Sequence, residues 1–264
     1  MFSIHHISPK SIFTAWMFSI FLGAALPGQS GMAPRIGRYG DQMRIQLESG
    51  RPLAAAAEAL EVQYGWQINY EDPPSYCPQE ITNVTAQAKS IAGNAARVPV
   101  LKPVRFEPTF IQPVDPPTAS ERRAIVSRVV EAARKYIGRN YTFMEMGGSF
   151  DLIPSGFLDG NCKFVMRSSV MDTRITLPAG PRTFDRALQE FTAALSKAAG
   201  RPVGLGSAPL NLLGQTQLPL APMGGPARSV LRRLIETSKR KLAWQLLVEP
   251  GNGMALLNLH QVQR

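Results

Sequence analysis

The sequence predicts an α+β fold: two small β-α-β-β-α-β modules in tandem, each with two helices on one face of a small mixed sheet, the first with a long Pro-rich insertion. Three observations predict it. Helical and extended periodicities alternate along the chain. Gly65, Gly138 and Gly200 each follow a helical pattern, where a left-handed stop is needed. The order of elements in the first half recurs in the second.

Each element has a local reason. MRIQL (Met43 to Leu47) alternates as a short strand, and Pro52 opens a helix whose inner face is Leu53, Ala56, Ala57, Leu60 and Tyr64. Trp66 to Asp72 reads as a second strand, closed by Pro73 and Pro74. The stretch from about 75 to 117 is a chain of prolines with one expected strand, around Val104 to Phe110. Thr118 and Glu121 form a capping-box signature for a helix to Ile137, with Ile125, Val129, Ala133, Tyr136 and Ile137 inward. YTFMEM and SFDLIP flank Gly147 and Gly148 as a hairpin. An extended run from Lys163 leads into the strand DTRITL. A helix from Thr183 follows with Phe184, Ala187, Leu188, Phe191 and Leu195 inward. RPVGLGS and GQTQLPL read as strands, and Pro226 begins a helix with Val230, Leu231, Leu234 and Ile235 inward. LAWQLLVE and MALLNLH close the chain as a hairpin. Laid together, Arg44, Ile45 and Leu47 fall on Arg174, Ile175 and Leu177, while Gly65, Ile68 and Tyr70 fall on Gly200, Val203 and Leu205. Two amphipathic helices over a small sheet bury one sheet face, so the other face is expected to stay open.

The first thirty residues have a weakly charged start (His5, His6, Lys10), an apolar run from Ile12 to Leu26 and a small-residue exit. That is the pattern of a secretory leader, cleaved near residues 30–33, and the run is short of the ~20 residues a membrane span needs. The expected organisation is a leader over 1–30, a first module over 41–160 and a second over 171–264. The mature chain is expected to be periplasmic or secreted, without a transmembrane segment. Its two cysteines, Cys77 and Cys162, are then expected to pair, because export exposes them to an oxidising compartment.

The stretch from Asp172 to Leu259 resembles the secretin and TonB short N-terminal domain. It carries the strand, the helix FDRALQEF, a Gly, two short strands, the helix PARSVLRRLI and a closing hairpin. Met43 to Asp72 is similar to the opening of the same pattern. The resemblance implies a periplasmic module that makes protein contacts and carries no catalytic residues or cofactor. In one respect the chain is expected to depart from the family: no receptor barrel or secretin channel region is expected after Leu259.

The chemistry legible in the residues agrees with a non-enzyme. His5 and His6 belong to the leader and His260 lies near the end, which removes Ser-His-Asp and Cys-His arrangements. GxSxG, HExxH and Walker patterns are absent, and no cofactor is implied. The formal net charge of +10 favours anionic company. Arg122, Arg123 and Arg128 on one helix, with Arg232, Arg233 and Arg240 on or beside its counterpart, are the candidate anion-binding face, for a polymer or a lipid surface. Aromatic residues are not interleaved with these charges, which argues against nucleic acid. Trp66, Tyr70, Trp244 and Phe164 are expected mainly in the core. The expected function is an envelope interaction module that contacts a secretion- or receptor-associated protein through a sheet edge or face. The alternative is a polymer- or ligand-binding protein, or a carboxylate-dependent hydrolase, with its cleft between the modules. Glu71, Asp72, Glu145 and Asp151 are its candidate acids.

Overall fold

The computed structural model describes residues 32–85 and 98–263. The expected leader over 1–30 and part of the Pro-rich insertion lie outside the described residues. In the first half, β1 (Arg35–Tyr39) and β2 (Gln42–Ser49) form a hairpin, followed by α1 (Pro52–Tyr64) and β3 (Gln67–Glu71). Pro52 begins α1, and Gly65 ends it in the left-handed region (φ 66°), its N–H donating to the carbonyl of Glu61. The insertion holds β4 (Ile81–Asn83), β5 (Pro99–Leu101), β6 (Val104–Phe106) and β7 (Thr109–Ile111). The single strand expected around Val104 to Phe110 is therefore two. Pro108 has no N–H to donate to a ladder, and its carbonyl accepts from Ile45 N while β6 and β7 pair with β2 on either side.

Next come α2 (Ala119–Ile137), β8 (Tyr141–Met146) and β9 (Ser149–Pro154). The capping box at Thr118 and Glu121 is formed. Gly147 and Gly148 both have positive φ, as a two-residue hairpin turn requires. The ribbon of β10 (Gly156–Leu158) and β11 (Phe164–Met166) is tied to the loop after β3 by the Cys77–Cys162 disulfide. In the second half the order is β12 (Arg174–Leu177), β13 (Gly180–Thr183), α3 (Phe184–Ala199), β14 (Val203–Leu205), the short α4 (Leu210–Leu213), β15 (Gln217–Leu220), β16 (Met223–Pro226), α5 (Ala227–Thr237), β17 (Leu242–Val248) and β18 (Ala255–Gln261). β12–β13 pairs with β16–β15 as a bent antiparallel ribbon.

The fold is α+β, and each half holds its own core. One core gathers Ile45, Leu53, Leu60, Phe106, Val129 and Phe150; the other gathers Ile175, Phe184, Phe191, Leu231, Trp244 and Leu257. In place of one small sheet per half, however, both halves contribute to a six-stranded sheet in the order β14-β18-β17-β3-β9-β8. The junction strands β17 and β3 run parallel, with Gln245 opposite Tyr70 and Leu246 opposite Glu71. Opposed residues share a sheet face. Leu246 belongs to the core of the second half, and Tyr70 to that of the first. The two helix pairs therefore lie on opposite faces of the shared sheet.

This arrangement overturns the expectation of an open reverse face. Behind β3 and β9, Asn69, Glu71 and Asp151 are buried, and α5 reaches over them with Arg228 and Arg232. Behind β17 and β18, Gln245 and His260 meet Glu58 and Glu61 of α1 at 2.8 Å and 2.6 Å. Each half's helix covers part of the other half's sheet. Beside these contacts a shallow cavity of about 650 Å³ is lined by Glu58, Glu61 and Val62 of α1 and by Gln245, Asn258 and His260 of the second half.

Candidate interaction edge

With both faces of the central sheet engaged, its unpaired backbone is at the two edges, β14 and β8. Unpaired edges invite strand addition unless they are blunted. The junction between β17 and β3 is an internal example of an edge that has been filled, and the repeat lets each outer edge be compared with it. Ile68 of β3 pairs with Phe150, which in turn pairs with Glu145; Val203 of β14 pairs with Ala255, which pairs with Val248. The same step makes Tyr70 equivalent to Leu205, Asp72 to Ser207, and Tyr141, Phe143 and Glu145 equivalent to Trp244, Leu246 and Val248. The local caps agree. Ile68 N donates to Glu61 Oε1 and Val203 N to Ser196 Oγ, each acceptor four residues before its helix-ending glycine.

At the filled junction, polar side chains of the β3 segment supplement a short ladder. Asn69 Oδ1 accepts from Trp244 N at 3.0 Å, and Asp72 Oδ2 accepts from Val248 N at 2.8 Å. Asp72 N donates to Leu246 O at 2.8 Å, and Gln67 Nε2 to Leu242 O. Asp72 is itself held by Arg51 at 2.7 Å and by the Tyr70 hydroxyl at 2.8 Å. Glu71, 1% exposed, accepts from Arg228 and Ser169. Burial pushes its carboxyl above the usual range, while Arg228 and Ser169 pull it down. Asp151 is bonded by Arg232 at 2.6 Å and by Asn69 at 2.6 Å.

The β14 edge is blunted at both ends, Val203 by Ser196 Oγ and Ser207 by Asn258. Its position equivalent to Asp72 is Ser207, whose N–H is occupied by Asn258 Oδ1 at 2.6 Å. The Asn258 amide also fills the space beside Gly206, where a Cβ would approach it to 2.2 Å. The residues equivalent to Gln67, Asn69 and Asp72 are Pro202, Gly204 and Ser207, so the junction's side-chain acceptors are lacking here.

The β8 edge is different. Among the described residues it pairs only with β9. Met146 and Ser149 flank the two-residue turn as a hydrogen-bonded pair, so Thr142, Met144 and Met146 bond to β9 while the backbone groups of Tyr141, Phe143 and Glu145 point outward. Met144 and Met146 remain 38% and 45% exposed on the face that α5 does not fully reach. On the other face Arg123 donates through Nε to Glu145 at 3.0 Å, with its side chain 63% exposed. The strand has no Pro or Lys and no bulge.

The candidate anion-binding arginines are dispersed by this fold. Arg122, Arg123 and Arg128 lie on α2 and Arg232 and Arg233 on α5, on opposite faces of the sheet. Arg232 is turned inward onto Asp151 and the Met146 sulfur, whereas Arg233 bonds Gly224 O and Arg240 is exposed. Of the candidate acids, Glu71, Asp72 and Asp151 are buried in the junction, and Glu145 is paired with Arg123. Trp66, Tyr70 and Trp244 are buried, but Phe164 is 44% exposed beside Val165 and Met166 on β11. A cavity of about 350 Å³ beside the insertion is lined by Arg51, Tyr70, Tyr76, Glu80, Arg139 and Tyr141. Two of its cations are matched, Arg139 to Glu80 and Arg51 to Asp72, and Lys102 also lines it. Burial drives the hydroxyls of Tyr70 and Tyr76 well above the ordinary tyrosine range, so they stay protonated. No known protein family, curated protein or solved structure matches the chain.

The junction residue Asn69 and the edge residues Met144 and Met146 are not singled out by the sequence, and Arg228 reads there only as one of the basic run on its helix, not as the partner of Glu71. The available signal was the polar alternation in QINYED, which reads equally as a solvent-facing strand side.

Proposed function

We propose that the protein is a non-catalytic interaction module of a bacterial-type cell envelope, binding a partner protein by strand addition at β8. The observation that carries this reading is the asymmetry of the two sheet edges: β14 is blunted by Ser196 and Asn258, while β8 presents outward backbone groups and two exposed methionines. Main-chain hydrogen bonds supply affinity in such complexes, and alternate side chains supply selectivity. The disulfide supports an extracytoplasmic setting, and no described helix is long and apolar enough to cross a membrane. The resemblance of residues 172–259 to the secretin and TonB short N-terminal domain points to the same class of partner, an envelope protein of a secretion or receptor system.

The test places a photo-crosslinking amino acid at Met144 and, as a control, at Val62, which is 80% exposed on α1. A defined envelope protein captured from position 144 alone is expected. The purified pair should bind, and Glu145→Pro, which removes an outward N–H from an edge strand, should abolish binding. Equal capture from both positions, or a purified pair indifferent to Glu145→Pro, refutes strand addition at β8.

A further inference from the structure

Resting on the reading of β8 as the open edge, we infer that the strand it receives runs parallel to it and resembles β3, with an amide followed by two adjacent carboxylates at the places of Asn69, Glu71 and Asp72. The chain contains the completed form of this contact. β17 occupies in the second half the place that β8 occupies in the first, and β17 is filled by β3 in parallel. The equivalences above transfer the contact atom by atom. An incoming amide in the place of Asn69 would accept from Tyr141 N, as Asn69 accepts from Trp244 N. A carboxylate in the place of Asp72 would accept from Glu145 N, as Asp72 accepts from Val248 N. The residue in the place of Glu71 would stand opposite Phe143 on the face covered by α2.

On that face a carboxylate in the place of Glu71 would meet Arg123, which is paired with Glu145 and keeps its side chain 63% exposed. Arg123 reaches the edge strand from α2, as Arg228 reaches the junction from α5. On the reverse face Met144 and Met146 offer apolar contact. The chain's net charge of +10 favours an acidic segment over a basic one. A second copy of this chain does not fit the description. Its own β3 is already paired on both sides, and its β14 carries Gly204, Gly206 and Ser207 in place of the polar set, with Ser207 N already occupied. The occupant is therefore an edge strand of another protein.

The probe is the octapeptide WQINYEDP, the sequence of Trp66 to Pro73, added to the isotope-labelled mature chain with its disulfide intact. Amide shifts centred on Tyr141, Phe143 and Glu145 are expected. A spin label on the peptide N-terminus should broaden the Tyr141 end of β8, as parallel addition requires. A peptide carrying Glu71→Lys and Asp72→Lys should bind about tenfold or more weakly at low salt. The protein variant Glu145→Pro should lose binding while keeping its unfolding midpoint, and Arg123→Gln should bind more weakly without losing the site. Broadening at the Met146 end, equal affinity for the lysine peptide, or shifts away from β8 overturn the inference. If an alternating apolar peptide without acids binds β8 equally well, the partner chemistry proposed here is wrong and the open-edge reading survives. If neither peptide perturbs β8, both fall.

Discussion

Removing Arg228 should unfold the protein from its middle. The guanidinium is 4% exposed and donates through Nη2 to Glu71 Oε2 and Ser169 Oγ, both at 2.8 Å, with Asp151 and Asp172 at 4.0 Å and 3.7 Å. Arg228→Met leaves a carboxylate that is 1% exposed with only the Ser169 hydroxyl and the Met171 N–H as partners and no counter-charge in contact. Breaking a buried pair from one side costs about 3–5 kcal/mol, whereas replacing both partners by apolar groups is often near neutral. The double variant Glu71→Leu/Arg228→Met should therefore recover most of the loss, since Asp151 keeps Arg232. The single variant should also become pH-dependent. Burial raises the Glu71 pKa above 4.5, and without Arg228 the largest lowering influence is gone, leaving only the hydrogen bonds from Ser169 and Met171. A folded-state pKa above the unfolded one means that the fold binds the proton more tightly. The loss should be full at neutral pH and shrink as pH falls toward the unfolded value. Urea unfolding of the oxidised chain, followed by tryptophan fluorescence and by circular dichroism, measures this directly. Both halves should lose structure together, since Arg228 belongs to one and Glu71 to the other. A loss under about 1 kcal/mol, or two separate transitions with only one affected, would refute the idea that the junction holds the halves as a unit.

Three other outcomes are expected. Cys77→Ser/Cys162→Ser opens a crosslink spanning 85 residues of sequence, which the chain-entropy account values at about 4–5 kcal/mol; an unchanged urea midpoint would contradict it. His260 bonds Glu61 at 2.6 Å, and that bond raises the imidazole pKa. Its stabilising contribution is then full below the unfolded pKa of about 6.5 and is lost as pH rises through the folded value. At 37% side-chain exposure the effect should stay below about 1 kcal/mol; His260→Gln should flatten the dependence of Tm on pH near neutrality, and an unchanged slope would count against the pair. Asn258→Val uncovers Ser207 N and makes β14 a less blunted edge, so sedimentation should show more concentration-dependent association than the parent chain does.

Helices were the most legible part of the sequence. Pro52, the Thr118–Glu121 box and the glycines at 65, 138 and 200 mark their ends through local backbone chemistry, and the structure places α1, α2 and α3 accordingly. The disulfide followed from compartment and cysteine count. Strands without their own periodicity were harder to see. β1, β4, β5, β13 and β16 are short pieces whose existence depends on a distant partner, and RIGRY or MGGP has no alternation to announce it. Pro108 split one expected strand because a missing N–H is read by the ladder and not by the apolar pattern. The basic helix faces were over-read: Arg232 has the spacing of a solvent-facing residue, but Asp151 draws it inward.

The largest miss was the sharing of the sheet, and its cause is general. Period-two alternation separates the two faces of a strand but does not say what covers the polar one. In β3 the alternation sets Ile68 and Tyr70 against Asn69 and Glu71, a pattern equally suited to solvent or to a second, charged layer. Only the complementary charges far along the chain, Arg228 and Arg232, decide between them, and their separation from Glu71 in sequence hides the match. The same ambiguity runs the other way at β8. YTFMEM alternates as well as β3 does, but no described strand pairs with its outer side, and Arg232 of α5 reaches Met146 while leaving Met144 and Met146 38% and 45% exposed. A tandem array whose repeats add edge to edge must end somewhere. This chain ends one side with Asn258 across Ser207 and leaves the other side with the geometry of an unfilled junction, which is why the proposed contact is at β8 and not on either sheet face.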